Sequence, residues 1–239
     1  GRKVMVGLKK MFFPANEKAK ALISSDDFGA LSLAMLQYPQ YVPTVEEFAA
    51  YRQGEPNKVV SFLDHLCHPA ALLVYLLGMP ETLAYERSPK GAGAATFTFA
   101  SGAVATLALT EGASPNGGME RTVIVGEGGR HITVGNNRRV TLHRWQNVPY
   151  GASPSFYSGG PDDASAVWEP ECSLGQLHNK GLFLLGYYGE IQEFAQSILE
   201  QRTPVKGTLE QAWQVTRIFE AFAEGPGKRV ALASRPASN

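Results

Sequence analysis

Cysteine is scarce in this 239-residue sequence: Cys67 and Cys172 are the only two. Two thiols cannot staple a disulfide scaffold, so a reducing, cytoplasmic setting is the expectation. Net charge is missing as well, because 22 basic residues balance 22 acidic ones. Without a basic stripe or a polybasic run, neither nucleic acid nor an anionic membrane is an expected partner. No window holds the roughly eighteen consecutive apolar residues of a membrane span. The first residues also lack the basic-then-apolar layout of a secretory leader. Neither Gly-x-Gly-x-x-Gly nor Gly-x-x-x-x-Gly-Lys-Ser/Thr occurs, so no stretch offers a ready cradle for nucleotide phosphates. The nearest candidate, Gly126-Glu-Gly-Gly129, joins two strand-like runs and reads as a hairpin turn. A Gly-x-Ser-x-Gly nucleophile turn is absent too.

What is present is organised around Val60–Gly78. Leu63, Leu66, Ala70, Leu73 and Leu77 recur at spacings of three and four, forming one apolar stripe of a helix that ends at Gly78. Asp64, His68, Ala71 and Tyr75 form the neighbouring stripe. Pro69 lacks an N–H, which is tolerated in a first helical turn, so the helix is expected to start near Asp64 or His65. A carboxylate and an imidazole would then stand four residues apart on one face. Such a pair suits proton transfer, with Asp64 orienting His68 and favouring its protonated form. The plain structural alternative makes Asp64 an N-cap and His68 a core histidine. Asp64, His65, Cys67 and His68 also look rich in metal ligands, but one turn cannot aim all four at one ion. His131, His143 and His178 are not spaced to complete a site, so no metal is expected.

In chain order, Lys3–Leu8 reads as a short strand, and Gly7 permits close approach to its backbone. Pro14 opens a helix of about eleven residues. Gly29–Leu36 reads as a weaker strand, and Thr44-Val-Glu-Glu47 is a capping box before a short helix. After the central helix the period falls from 3.6 to 2. Thr82–Arg87, Ala94–Ala100, Ala103–Thr110, Arg121–Gly126, Arg130–Val134 and Val140–Arg144 are six expected strands. Tight turns join them, so neighbours should be antiparallel. Phe97, Phe99, Leu107 and Leu109 would share one face, with Thr96, Thr98, Thr106 and Thr110 on the other. Residues 145–185 show no period, and their aromatics, Trp145, Tyr150, Phe156, Tyr157 and Trp168, read mainly as pins for a long loop. Two helices close the chain. One carries Ile191, Phe194, Ala195, Ile198 and Leu199; the other starts at the capping box Thr208-x-x-Gln211 and turns Ala212, Val215, Phe219 and Phe222 inward. Lys228–Ala233 could add a last strand. The fold class is therefore α+β, an open, predominantly antiparallel sheet with the helices at 61–77, 190–201 and 208–223 on one face.

This ordered set resembles the C-terminal part of the glucose–fructose oxidoreductase / inositol dehydrogenase family (Gfo/Idh/MocA). Val4-Met-Val-Gly-Leu-Lys-Lys-Met-Phe-Phe-Pro14 is similar to that family's last Rossmann strand and following turn. Asp64-x-x-x-His68, ending in Tyr75-Leu-Leu-Gly78, resembles its catalytic helix. Ser101-Gly102-Ala-Val and Val125-Gly-Glu-Gly-Gly129 resemble its sheet hairpins. Gly186-Tyr-Tyr-Gly-Glu190 through Phe194, then Pro204 and the last helix, resemble its C-terminal signature. The resemblance implies residues 1–25 as a remnant of a dinucleotide domain and 26–239 as the substrate-binding and oligomerisation domain. It further implies an NAD or NADP cofactor in a full-length parent, none for this chain alone, and a sugar, cyclitol or related alcohol as substrate. Asp64 and His68 match catalytic positions, and Lys9 matches a basic position that contacts substrate in some members. The family's own catalytic lysine stands in a Glu-Lys-Pro turn that this sequence lacks, and Asn57-Lys-Val-Val-Ser replaces the family's Gly-rich approach to the helix. A homo-oligomer through the open sheet face is implied as well. A stand-alone binding or assembly module of the same ancestry, without redox activity, remains the second reading.

Overall fold

The computed structural model describes residues 2–110, 120–127, 129–144, 165–170 and 177–232, and for 177–180 the backbone only. Its frame is a nine-stranded sheet. The strands are β1 (Leu31–Tyr38), β2 (Thr82–Arg87), β3 (Gly93–Thr98), β4 (Val104–Leu109), β5 (Arg121–Gly126), β6 (His131–Gly135), β7 (Arg139–His143), β8 (Ala166–Trp168) and β9 (Arg229–Ala231). They lie in the order β8-β7-β6-β5-β1-β4-β3-β2-β9. Every neighbouring pair is antiparallel apart from β1 and β4, which run parallel from Leu33↔Val104 to Tyr38↔Leu109. β1 therefore wedges between two strands that follow each other in sequence, and those two do not pair.

The side-chain period of two shows in the burial. Ala34, Leu36, Tyr38, Leu83, Tyr85, Phe97, Leu107, Leu109, Ile124 and Ile132 are buried, while Met35, Thr96 and Ala108 on the opposite face are exposed. One face thus carries the core, and the other is available to water or to a partner.

Helices cover the buried face: α1 (Pro14–Ile23), α2 (Val45–Arg52), α3 (Lys58–Leu77) and α6 (Leu209–Phe222). Both expected capping boxes are formed, with Thr44 and Glu47 exchanging bonds and Thr208 and Gln211 doing the same. The buried stripe of α6 is Val215, Ile218, Ala221 and Phe222, so Ile218 faces inward while Ala212 and Phe219 are half-buried.

The central helix corrects the expected start. It begins at Lys58, where Asn57 Oδ1 accepts from the Val59 N–H at 2.9 Å, and it runs through Pro69 without ending. A proline inside a helix costs about 3 kcal/mol, because its ring clashes and one backbone bond is lost. The extra turns bury Val59 and Phe62 completely, and each such side chain contributes about 1.5–3 kcal/mol. Burial therefore offsets the proline. Phe62 lies edge-on to Phe48 and Phe222, at 5.8 and 5.6 Å between ring centres, and Phe222 meets Tyr85 at 4.8 Å. Among the described residues α3 is the one helix with the length and apolarity of a membrane span; here its inner side is the core of the domain.

Three further expectations change. Lys3–Leu8 forms no strand; its backbone tie to the rest of the chain is Val6 N–H to the Gly207 carbonyl at 2.7 Å, and it ends in a tight turn in which Leu8 N–H donates to the Val6 carbonyl. The aperiodic stretch holds β8 and a helix, α4 (Leu177–Leu184). Trp168 of β8 packs on the core as a pin, whereas Trp145, Tyr150, Phe156 and Tyr157 lie outside the described residues. The helix α5 (Tyr187–Leu199) does not cover the sheet: of its residues Ser197 alone is buried, and Ile191 and Leu199 are 70% and 82% exposed. Helical spacing revealed its apolar stripe but not what the stripe would face.

Because Phe62 joins α2, α3 and α6, its truncation removes their common contact. Phe62→Ala should lower the unfolding free energy by about 3–5 kcal/mol, read as a shift of the urea midpoint at unchanged slope.

Candidate active site

The site forms where the single 3₁₀ turn Lys9–Phe12 is held between α3 and α5. Two glycines allow that approach. Gly186 has φ +77°, and a Cβ on it would lie 2.6 Å from the Lys9 carbonyl oxygen; a Cβ on Gly7 would lie 2.9 Å from a Glu190 carboxylate oxygen. Gly7 thus does admit a close neighbour. Burial pushes the Glu190 carboxyl above its ordinary range, and Lys9 pulls it partly back.

Lys9 is half-buried, with its ammonium 3.4 Å from the Tyr187 hydroxyl and 5.3 Å from that ring's centre. Lys10 points the other way and is buried, its ammonium 2.5 Å from Glu120 Oε2. It also lies 4.9 Å from the ring centre of Phe13 and 5.7 Å from that of Tyr38. Burial lowers the Lys10 pKa, and Glu120 opposes that shift.

His68 is half-buried in the middle of α3 and meets Tyr38, the last residue of β1, edge-on at 6.4 Å. Cys67 Sγ is 3.5 Å from His68 Nδ1. Burial, then the charges of Lys10 and Lys9, push the His68 pKa down to about 4. Burial also raises the Cys67 thiol and the Tyr38 phenol. At neutral pH the imidazole is therefore uncharged, with burial and the positive charges of Lys10 and Lys9 acting in the same direction.

That outcome reverses the sequence expectation for this pair. Asp64 is 81% exposed and its carboxylate is 3.9 Å from His65 Nδ1, while His68 faces the lysines. The turn that places both residues on one side of the helix also places Asp64 at the water and His68 against the Lys9–Lys10 turn. A solvated carboxylate is screened, so the lysines and burial decide the protonation of His68. Of the three residues singled out in the sequence, Asp64 lies at the water, His68 is half-buried, and Lys9 reaches Tyr187. Sequence reasoning passed over Lys10, Tyr38, Glu120 and Tyr187. The Lys9-Lys10 doublet was the one visible signal, since two adjacent bases ahead of the apolar run Met11–Phe13 cannot both reach solvent on the same side.

Among the described residues no three side chains of the metal-ligating kinds gather at one point. His131 and His143 stack on each other at 4.3 Å across β6 and β7, and the His178 side chain lies outside the description. The described starts of α1, α2, α3, α5 and α6 also offer no cradle for a dinucleotide. A pyrophosphate needs free N–H groups at a helix start. Here α2, α3 and α6 are capped by Thr44, Asn57 and Thr208, α1 opens with a proline, and α5 starts against the Lys9 carbonyl.

Fold and site together define an α+β domain with one uncovered sheet face and a cluster of titratable side chains against its core helix. Residues 16–132 match the family described as GFO/IDH/MocA C-terminal domain, and this stretch is a C-terminal domain of that family. No curated protein matches the sequence. Solved structures share the fold at low identity. A dehydrogenase from Chromobacterium violaceum superposes with a TM-score of 0.67 at 17% identity, over 93% of this chain and 60% of its own. A levoglucosan dehydrogenase in complex with NADH and levoglucosan gives 0.70 at 17%, over 97% and 66%. An aldose-aldose oxidoreductase from Caulobacter crescentus complexed with glycerol gives 0.64 at 16%, over 97% and 64%. The chain thus spans about three fifths of the length of the first of these relatives.

The lowered His68 pKa has a consequence for stability. The unfolded imidazole titrates near its ordinary 6.5 and the folded one near 4. Between those values the unfolded chain holds more protons, so this contribution to stability is lost as pH falls from about 6.5 towards 4 and changes no further below. Urea unfolding at pH 7.5 and 5.5 should show a drop that His68→Gln reduces.

Proposed function

We propose that this chain is the substrate-binding and proton-transfer part of an NAD- or NADP-dependent oxidoreductase acting on a sugar, cyclitol or related alcohol. The observation that supports the reading is the half-buried His68 imidazole, kept uncharged by burial and by the charges of Lys10 and Lys9. Oxidising an alcohol requires a base for the hydroxyl proton and positive charge for the oxygen left behind. His68 is entirely in its base form at neutral pH. A pKa near 4 makes it a weak acceptor, so the lysine charge must stabilise the substrate oxygen as its proton leaves. Lys9 is the group exposed enough to meet a hydroxyl, and Asp64, on the rim of the same helix face, is placed to bind a second one. The hydride acceptor would be the nicotinamide of a dinucleotide held by a full-length parent.

A domain arrangement accompanies this reading. Residues 1–25 would be the end of a dinucleotide domain and 26–239 the substrate and assembly domain. The exposed Tyr188, Ile191, Leu182 and Phe183 on α4 and α5 support it, since such an apolar strip beside the site suits a covering domain. Family membership and the NADH and sugar complexes named among the solved relatives agree with this substrate class.

The test of the chemistry is steady-state kinetics in the dinucleotide-bearing enzyme. His68→Ala should lower kcat for alcohol oxidation by roughly a hundredfold or more, with a smaller loss for Asp64→Asn. Unchanged turnover per folded molecule would return both residues to a structural role and favour a non-redox binding module.

Self-association is the second part of the proposal. The open sheet face carries a shallow depression of about 440 Å³ over β4, β1 and β5, lined by Met35, Gln37, Thr106, Ala108 and Val123. A flat face of small and β-branched side chains suits pairing with its own copy across a two-fold axis. Light scattering should give at least a dimer at micromolar concentration, and Met35→Glu should shift it to monomer.

A further inference from the structure

Among the described residues Lys10 is the only buried side chain that carries a charge. Its surroundings are built from four parts of the chain. Glu120, just before β5, holds the ammonium at 2.5 Å and also accepts from Asn137 Nδ2 at 2.6 Å. Asn137 lies in the β6–β7 turn with φ +51°, a conformation that few side chains adopt. Its Oδ1 accepts from Asn16 Nδ2 of α1 at 3.2 Å, and the same Nδ2 donates to the Lys10 carbonyl at 2.9 Å. Asn16 is fully buried, with its Oδ1 left without a partner.

Stability alone does not account for such a network. Buried ion pairs are commonly no better than apolar side chains of the same size, and an orphaned amide oxygen is a further cost. The network does hold an ammonium, out of reach of water, beside the Tyr38 ring that His68 meets edge-on.

We propose that Lys10 is a positioning residue for the proton step: clamped by Glu120, Asn137 and Asn16, it supplies a fixed positive charge that acts with burial to keep His68 unprotonated. The proposal rests on the reading of His68 as proton acceptor. The charged and titratable groups around the imidazole are Lys9 and Lys10 from the 3₁₀ turn, Tyr38 from β1 and Glu120 ahead of β5. On its own helix they are Asp64, His65 and Cys67. Asp64 is solvated and Lys9 is only half-buried, so water screens both more than it screens Lys10. Lys10 is the cation in this set whose field water does not weaken, and burial of the imidazole acts in the same direction.

The experiment follows the imidazole signals of this chain by NMR through a pH titration, with His68→Gln assigning the resonance. Wild-type His68 should titrate near 4. Lys10→Met leaves Glu120 facing the ring without its counter-charge and should raise the midpoint by about one unit or more, the usual scale for a neighbouring charge. Lys10→Arg keeps the charge and should leave the midpoint near wild type. A Lys10→Met midpoint equal to wild type, or an equal rise in Lys10→Arg, overturns the proposal. If Lys10→Met does not fold, Glu120→Gln decides: removing the carboxylate should not raise the midpoint, and a rise overturns the proposal. In the dinucleotide-bearing enzyme, the acid limb of kcat/KM should move with the NMR midpoint in Lys10→Met. A shifted imidazole with an unshifted limb would keep the coupling but overturn His68 as proton acceptor, and with it the catalytic purpose given to Lys10.

Discussion

Burial of α3 between the sheet and α6 is the constraint on which the rest of the structure depends. Leu66, Ala70 and Leu73 are almost completely buried, and Phe62 links Phe48 to Phe222, which continues to Tyr85 on the sheet. This packing is strong enough to carry the helix through Pro69. It also fixes the rotation of α3, and rotation decides what each polar residue on it meets. His68 faces the Lys9–Lys10 turn, Asp64 faces water, and Cys67 lies between.

The chemistry of the site follows from desolvation more than from pairing. A histidine four residues from an aspartate suggests an ion pair, yet Asp64 is solvated and the cations beside His68 are not both so. The result is an imidazole held neutral, a buried phenol and a thiol pushed up by the same burial. Positive charge is brought in through the turn at Lys9–Phe12, which reaches its position because Gly186 leaves room for the Lys9 carbonyl. Lys9 is offered to solvent and Lys10 is withheld from it. Two adjacent lysines thus take different parts, one able to touch a hydroxyl and one able only to set a field.

The sheet serves both sides of the domain. Its inner face supplies the floor on which α3 rests and, through Tyr38 at the end of β1, one wall of the site. Its outer face is small, β-branched and uncovered, with Met35 exposed at the centre. The strip on α4 and α5 is a second uncovered apolar surface, on the far side of the Lys9–Phe12 turn. The two surfaces suit different occupants, a second copy on the flat face and a covering domain on the strip.

Most of the elements were legible in the sequence. The two capping boxes, the strands from Thr82 to His143 and the inward set Phe97, Phe99, Leu107 and Leu109 follow from spacing alone, because local hydrogen bonds and side-chain period are local properties. The central helix and the place of His68 on it were legible for the same reason. Tertiary structure decided the insertion of β1 between β4 and β5, the start of α3 at Lys58, the outward stripe of α5 and the failure of Lys3–Leu8 to join a sheet. It also decided the site: Lys10 meets Glu120 across 110 positions of sequence, and no local pattern encodes such a meeting. Periodicity states that a residue is buried or exposed. The charge state of His68 depends on which charges share its burial, and only the folded chain brings those charges together.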